Sequence, residues 1–230
     1  MHILQQHEQM EMKILDHMRK VKILDALIFG GGTMLRLCFD LPRYSVDLDF
    51  YLKAERKAFL PQAKKFTDSL EEMGAKIKDH AEKYFSFLWE IRIPSYSRHL
   101  KIEIRKLSDQ AKDTQLNIAH SPFSSLQVRL RTLTLKQMWL NKIMALSERK
   151  EVRDAYDLEF LTRRGGGDFK TLTKSRIEKL LQVLNAFSKQ ELKAMGSVLE
   201  KEEREMIASN RFDYLKSKIE AALSYSTLAE

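Results

Sequence analysis

Hydrophobic positions recur with a helical period at the start of the chain and with a strand period further on. Residues 5–24 place Met10 and Ile14, among other apolar side chains, at three- and four-residue intervals between charges, which predicts an amphipathic helix. Residues 26–29 are a short apolar run that ends in three glycines, a pattern typical of a buried strand entering a tight turn. A short helix is predicted next, from Thr33 to Phe39.

Strict alternation of apolar and polar residues marks a strand over residues 46–52. Helical periodicity returns over residues 54–73, and extended segments are predicted at 83–93 and 99–106. Either extended segment could pair with the first strand in one sheet. One side of that first strand carries the polar side chains of Asp47, Asp49 and Tyr51.

From about Leu135 onward the pattern is helical, apart from a break at residues 165–167. The predicted fold class is therefore α+β, with a small mixed sheet and its helices in residues 1–130 and a helical domain in residues 131–230. The two parts are predicted to join near residues 108–130.

Composition indicates a globular protein with a basic surface. The 230 residues are 43% hydrophobic, which is enough for a packed core, and the net charge is +8. Residues 129–153 hold seven basic side chains against two acidic ones, which suits a polyanionic partner such as a nucleic acid or a triphosphate. A solvated basic surface that only aids solubility would look the same.

Cysteine usage and the absence of long apolar runs bear on the compartment. The single cysteine, Cys38, excludes an internal disulfide and favours a reducing environment. No uninterrupted apolar run approaches the length that spans a membrane, and the first residues do not resemble a secretion signal. We therefore expect a cytoplasmic protein without a membrane partner.

The carboxylates on the predicted strand are the first candidates for chemistry. Asp47 and Asp49 are two residues apart, so their side chains share a face and can converge on divalent cations. Glu103 lies on the polar side of a second predicted strand, and would bring a third carboxylate if the two strands are neighbours. Such a cluster needs cations to offset its repulsion, and Mg²⁺ is the expected ion. An Asp-x-Asp pair alone is also common on an ordinary solvated strand face.

The glycine turn is the second candidate. Gly30 to Thr33 follow an apolar strand and precede a helix, a setting in which free backbone N–H groups can bind phosphate oxygens. The Thr33 hydroxyl would add one more donor. The turn has neither the Gly-Lys-Ser/Thr of a Walker loop nor a dinucleotide fingerprint, and a glycine cluster can also serve only to turn the chain.

Lys142 is the third candidate, because it lies on an apolar stretch of a predicted helix. Its ammonium needs an anion there, either a triphosphate or a carboxylate, unless the side chain extends to solvent along the helix surface. Asp154 and Asp157 share a helix face three residues apart, and either could hold Lys142. Alternatively, Asp157 could form an ordinary surface ion pair with Arg153.

Other reaction classes lack support. The six histidines have no metal-ligand spacing and there is no cysteine pair, which argues against zinc. No Gly-x-Ser-x-Gly segment or other sign of a hydrolytic triad is present.

Taken together, three segments resemble the AbiEii family of nucleotidyltransferases, which belongs to the DNA polymerase β-like superfamily and includes toxins of type IV toxin-antitoxin and abortive-infection systems. The most specific of the three is the middle one. The segments are Gly31-Gly32-Thr33-x-Leu35, Arg43-x-Ser45-x-Asp47-Leu48-Asp49-Phe50, and Lys142 followed by Arg153-Asp154-x-x-Asp157-Leu158.

The resemblance implies a polymerase β-like core and metal-dependent transfer of a nucleoside monophosphate from a nucleoside triphosphate to an acceptor, with release of pyrophosphate. Asp47 and Asp49 would bind two Mg²⁺ ions, with Glu103 as third metal carboxylate and possible base. The triphosphate would be held by Gly31, Gly32, Thr33 and Lys142, with Ser45 beside the metals. Asp154 and Asp157 match the later motif, and Asp157 is counted with the catalytic residues, although the residue pattern explains no chemical role for either.

The resemblance also implies partners. Some family members modify transfer RNA, so an RNA acceptor is expected, together with a cognate antitoxin. Residues 165–230 match no motif, which leaves the acceptor open. A small antibiotic-like molecule or a protein hydroxyl is an alternative acceptor, and a catalytically silent module that binds nucleic acid is an alternative function.

Overall fold

The computed structural model describes residues 2–106, 109–199, 203 and 209–228. The chain divides into two compact units, Met1–Leu133 and Thr134–Glu230. The basic stretch at 129–153 is therefore shared between the units, because residues 129–133 end the first and residues 134–153 begin the second.

A seven-stranded mixed sheet forms the centre of the first unit, in the order β3-β4-β5-β2-β1-β7-β6. β1 pairs antiparallel with β2 and parallel with β7, and β2 pairs parallel with β5. This sheet and the helices confirm the predicted α+β class. The strands are β1 Leu27–Gly30, β2 Asp47–Leu52, β3 Lys76–Glu82, β4 Ser86–Arg92, β5 Leu100–Arg105, β6 Thr114–Ser121 and β7 Ser124–Leu133.

Three helices of this unit are α1 Ile3–Lys20, α2 Gly31–Phe39 and α3 Arg56–Glu72. The start of α1 is closed by a reciprocal cap, in which the Leu4 N–H donates to the His2 ring and the His2 N–H donates to Gln5. Aromatic packing joins α3 to the sheet, since Phe66 of α3 meets the ring of Trp89 edge-on at 5.7 Å.

The structure corrects the predicted sheet in three places. Residues 76–82 form β3, for which the sequence pattern predicts no strand. The segment predicted at 83–93 forms β4, which pairs with β3 and β5 rather than with β2. The predicted joining segment, 108–130, instead contributes 114–121 and most of 124–133 to strands of the sheet. Ser108 lies outside the described residues.

Strand register defines two faces of the sheet. Phe29, Phe50 and Ile104 occupy one face, which is buried. Since alternate residues point to opposite faces, the neighbours of these residues share the other face. We call it the carboxylate face. It carries Asp47, Asp49 and Tyr51 of β2, Lys101, Glu103 and Arg105 of β5, Ile28 and Gly30 of β1, and Arg129 and Arg131 of β7.

The second unit is helical in its described residues. Thr134 caps α4 by accepting a hydrogen bond from the Gln137 N–H, and Lys150 ends α4 in the left-handed conformation. Gly167 follows α5 and passes so close to the Trp139 ring that a side chain at residue 167 would clash. The helices are α4 Leu135–Arg149, α5 Val152–Arg163, α6 Lys174–Ala186, α7 Lys189–Ala194 and α8 Asp213–Leu228.

Within the part of the chain that the structure describes, no helix combines the length and apolar character needed to cross a membrane.

Candidate active site

The two aspartates of the Asp-x-Asp motif open strand β2 on the carboxylate face. Both are partly exposed, whereas Leu48 and Phe50 between and after them are buried. Asp49 is the register partner of Gly30, the last residue of β1. The chain enters α2 directly after Gly30. The glycine turn and the two aspartates therefore meet where β1 ends and β2 begins.

Gly31 lies directly under the Asp49 carboxylate. A Cβ at residue 31 would overlap Oδ2 of Asp49 and would come within 2.9 Å of its Cβ. Gly31 also has φ +75°, a conformation that costs other residues about 1–2 kcal/mol. Gly31 is the first residue of α2, so the start of this helix, where N–H groups have no partner within the helix, lies against the Asp49 carboxylate.

Gly32 makes room for the segment that leads into β2. A Cβ at residue 32 would overlap the Arg43 guanidinium and approach the Ser45 hydroxyl to 2.9 Å. Arg43 is 4% exposed, and its Nη1 donates to the Tyr44 carbonyl at 3.0 Å. The glycines therefore do more than turn the chain, because they let the two motifs pack in direct contact.

Thr33 anchors the first residue of β2 by a hydrogen bond. Its Oγ1 donates to the Asp47 carbonyl at 2.6 Å, and its side chain has no exposed surface. The prediction that this hydroxyl would donate to a triphosphate does not agree with this geometry, because the one hydroxyl proton points into the protein. The backbone N–H groups of the turn are the remaining donors for a phosphate there.

Glu103 lies beside Asp49 as its register partner on the parallel strand β5. Lys101 donates to Oε2 of Glu103 at 2.9 Å. Burial raises the pKa of Glu103. The hydrogen bonds from Lys101 and Ser86 and the positive charges of Lys101 and Arg105 lower this pKa by more, so that it lies below its usual value. Glu103 is thus kept ionised in the place that strand alternation predicts.

The donors at this site fit Mg²⁺ in kind, since carboxylate oxygens are hard ligands and no thiolate or imidazole is among them. Among the described residues, however, no three histidine, cysteine, aspartate or glutamate side chains are grouped closely enough to hold one ion. Glu103 is turned to Lys101. Asp47 and Asp49 are therefore the side chains that fit a metal, and Glu103 stands next to them.

The two cations that β5 contributes to the carboxylate face, Lys101 and Arg105, are absent from the predicted set of site residues. Burial lowers the pKa of Lys101, but its hydrogen bond to Glu103 and the charges of Glu103, Asp47 and Asp49 raise it, with a net rise. Arg105 lies over the ring of Tyr51, with 5.7 Å from Cζ to the ring centre. The sequence could have predicted that Lys101 and Arg105 share a face with Glu103, because all three alternate with the apolar residues of β5.

Helix α1 supplies two more side chains to the base of the site. The ring Nε2 of His7 lies 2.9 Å from the Val46 carbonyl and 3.5 Å from Oε1 of Glu11. Both side chains are at most 2% exposed. Sequence reasoning found only an amphipathic pattern in α1, although two ionisable residues four apart on its buried side are an unusual feature.

Lys142 belongs to the second unit, where it is held by two carboxylates. Its Nζ lies 2.9 Å from Asp154 Oδ1 and 2.6 Å from Asp157 Oδ2, and neither aspartate has exposed side-chain surface. Arg149 also contacts Asp154, at 2.9 Å. The sequence left a triphosphate or a carboxylate as the anion for Lys142. In the structure Lys142 pairs with the carboxylates of both Asp154 and Asp157. Arg153 pairs with Glu151.

Comparison with protein families decides the class. The family described as "Nucleotidyl transferase AbiEii toxin, Type IV TA system" matches residues 13–224. The chain belongs to the AbiEii family. This membership confirms the resemblance drawn from the motifs, and it makes the chain a nucleotidyltransferase. A search of curated proteins gave no match.

Two solved structures share the fold of this AbiEii chain. A candidate nucleotidyltransferase from H. pylori has 15% identity and a TM-score of 0.53, covering 93% of this chain and 96% of its own. JHP933 from Helicobacter pylori has 17% identity and a TM-score of 0.51, covering 95% and 98%. The nucleotidyltransferase toxin MenT4 from Mycobacterium tuberculosis is a weaker match, with 16% identity and a TM-score of 0.43, covering 95% and 94%.

The contact between Gly31 and Asp49 gives a test with a matched control. Gly31→Ala and Gly74→Ala each place a Cβ on a backbone with positive φ, but only residue 74 has open space around it. Gly74→Ala should lose roughly 1 kcal/mol of stability in urea unfolding, and Gly31→Ala should lose more, because its Cβ also overlaps the Asp49 side chain. Only Gly31→Ala should also lower the rate of nucleotide transfer, by about tenfold or more, because it displaces the Asp49 carboxylate. Equal rates for the two variants would contradict this assignment.

Proposed function

We propose that the enzyme transfers a nucleoside monophosphate from a nucleoside triphosphate to a hydroxyl group of an RNA acceptor such as transfer RNA, and acts as the toxin of a toxin-antitoxin pair. The observation that carries the reaction is the contact of the Asp-x-Asp strand with the glycine turn at the start of α2. This contact brings the two aspartates, the proposed cation ligands, next to the N–H groups that are proposed to bind phosphate.

In the transfer, an acceptor oxygen bonds to the α-phosphorus while the bond from that phosphorus to the bridging oxygen breaks, and pyrophosphate leaves. Asp47 and Asp49 would hold Mg²⁺, two ions being expected, and the metal would stabilise charge on the transferring phosphoryl group. The turn at Gly31 and Gly32 would bind the triphosphate through backbone N–H groups. Ser45 packs against Gly32, which supports its proposed place beside the metal ions and the triphosphate.

Glu103 is proposed as the third carboxylate of the site rather than as its base. Its ion pair with Lys101 favours the ionised form and makes it a weaker proton acceptor than an unpaired carboxylate. The proton of the acceptor hydroxyl would then pass to solvent. Lys142 remains a proposed phosphate contact and Asp157 a proposed catalytic residue, with their ion pair orienting the ammonium.

An RNA acceptor is supported by the charge on the carboxylate face. Lys101 and Arg105 flank Glu103 on β5, and Arg129 and Arg131 stand on β7 on the other side of β1. Cations on both sides of the Asp-x-Asp strand suit a phosphate backbone that passes over it.

Exposed aromatic rings at the turn between β3 and β4 add a second feature suited to RNA. Tyr84 is 85% exposed and Phe85 77% exposed, with their ring centres 4.5 Å apart. The Lys106 N–H donates to the Phe85 carbonyl at 2.9 Å, which fixes the turn to the end of β5. Unpaired bases stack on such rings, and single-stranded ends are the common targets of RNA-binding proteins.

The toxin role rests on membership of a type IV toxin-antitoxin family. It implies a cognate antitoxin as the second partner. Expression of the enzyme alone should arrest growth, and co-expression with the protein of an adjacent antitoxin gene should relieve the arrest.

Incubation with Mg²⁺, each α-labelled nucleoside triphosphate in turn, and total cellular RNA tests the reaction. We expect label on RNA with at least one nucleotide, no label with EDTA, and several-fold weaker labelling by the Tyr84→Ala/Phe85→Ala double variant. Absence of label on RNA with all four nucleotides would overturn the RNA proposal. Transfer to a small molecule under the same conditions would point to the antibiotic-like alternative.

A further inference from the structure

A histidine and a glutamate form a pair on the carboxylate face, beside the Asp-x-Asp strand. Nδ1 of His99 lies 3.1 Å from Oε1 of Glu90, and the two side chains are 33% and 43% exposed. Glu90 of β4 is the register partner of Lys101 on β5, and Lys101 is the register partner of Asp47 on β2. Residues that stand opposite each other on neighbouring strands share one side of the sheet, so Glu90 is on the same face as Asp47.

His99 stands close to the site because it directly precedes β5. It comes two residues before Lys101, which is opposite Asp47. Two residues span about 7 Å at most, and neighbouring strands are about 4.8 Å apart. These spacings put the His99 backbone roughly 8 Å from that of Asp47, on the diagonal, which is close enough for the two side chains to contact one bound substrate.

The contact with Glu90 determines which ring nitrogen of His99 is basic. A carboxylate only accepts hydrogen bonds, so Nδ1 carries a proton and donates to Glu90. In the neutral ring Nε2 is then the nitrogen that can accept a proton. Nε2 is on the opposite side of the ring from Nδ1, so it is turned away from β4, and β2 is the strand that follows β5 in that direction.

Other groups near the aspartates are less suited to accept a proton from a substrate. Glu103 is paired with Lys101 at 2.9 Å, and the two aspartates of β2 are the proposed metal ligands. His7 is only 2% exposed, so a substrate does not reach its ring. His99 combines a basic nitrogen with partial exposure and a place beside the Asp-x-Asp strand.

We infer that His99, oriented by Glu90, is the catalytic base of the nucleotidyl transfer. Its Nε2 takes the proton of the acceptor hydroxyl while the acceptor oxygen bonds to the α-phosphorus. The bond from that phosphorus to the bridging oxygen breaks, and its electron pair leaves with pyrophosphate. The imidazolium then releases the proton to solvent. The inference rests on the proposed transfer reaction, but it holds for any acceptor hydroxyl.

Substitution of His99 tests the base directly. His99→Ala should lower kcat about a hundredfold, a typical contribution of a general base, with little change in KM for the nucleoside triphosphate. Added imidazole should restore part of the rate, because it can fill the space of the missing ring and accept the proton. His120→Ala is the matched control, since His120 also faces a carboxylate, that of Asp40 at 3.7 Å, but on β6. It should keep the wild-type rate with or without imidazole.

A double substitution tests the role of Glu90. Glu90→Ala should lower kcat about tenfold, because the ring is no longer held in one orientation, and it should cause no further loss in a His99→Ala background. A further loss there would overturn the role of Glu90. A rate in His99→Ala equal to that in His120→Ala, or a loss that imidazole does not relieve, would overturn the base. If the wild type transfers nucleotide to no acceptor, the proposed reaction itself fails and the base role falls with it.

Discussion

Asp49→Asn should abolish nucleotide transfer, with a loss of about a thousandfold or more. Removing the negative charge weakens the proposed Mg²⁺ site, and a metal supplies several kcal/mol of transition-state stabilisation, each 1.4 kcal/mol of which is about a factor of ten in rate. The fold should persist, because an asparagine side chain fills the same space over Gly31. The measurement is transfer of α-labelled nucleotide under single-turnover conditions, together with the urea midpoint.

Asp79→Asn is the control for this substitution. Asp79 is an exposed aspartate of β3, an edge strand of the same sheet, and its neutralisation changes the net charge equally. It should leave transfer unchanged. A residual rate in Asp49→Asn near that of Asp79→Asn would show that the Asp-x-Asp strand is not the metal site.

Lys142→Met should destabilise the second unit by about 3 kcal/mol. The substitution leaves two aspartates with fully buried side chains without their shared ammonium, and breaking one side of a buried ion pair is costly because the remaining charge is poorly solvated. Arg149 still contacts Asp154, which places the loss at the lower end of the usual range. Urea unfolding measures it.

Two comparisons give this result its meaning. Lys136→Met changes an exposed lysine of the same helix and should alter stability by less than about 0.5 kcal/mol. A Lys142→Met protein as stable as Lys136→Met would contradict the buried ion-pair account. Transfer by the folded fraction of Lys142→Met then tests the phosphate contact separately, since a purely structural lysine would leave that rate unchanged.

The elements that a local pattern determines were predictable. β2 alternates strictly because one of its faces is core and the other polar, so its two aspartates could be placed on one side before the structure was known. The same reasoning placed Glu103 on the correct face of β5. A local pattern does not predict which strands pair with each other. The pairing of β4 with β5 rather than with β2 depends on contacts across the whole sheet.

The missed elements each lack a local signal for a specific reason. β3 is a sheet edge in which Ile77 and Ala81 are the apolar residues among seven, so its apolar alternation is too weak to predict a strand. β6 carries exposed Leu116 and Ile118, and its polar neighbours suggested a linker. At the site, the contact of His7 with the Val46 carbonyl joins residues far apart in the chain, and no spacing in the sequence encodes that approach.

The strand order also determines when the enzyme can first exist during its own synthesis. β1 and β2 leave the ribosome early, but β2 is flanked on one side by β5, and β1 on its outer side by β7, which ends at Leu133. Helix α1, which precedes all seven strands in the chain, contacts β6 and β7. Pairings between such distant segments form late, because the chain between them must be closed first. A polypeptide that stops before β7 begins at residue 124 therefore contains both aspartates but lacks the strand that flanks β1, so translation must pass well beyond the Asp-x-Asp motif before the whole sheet can form.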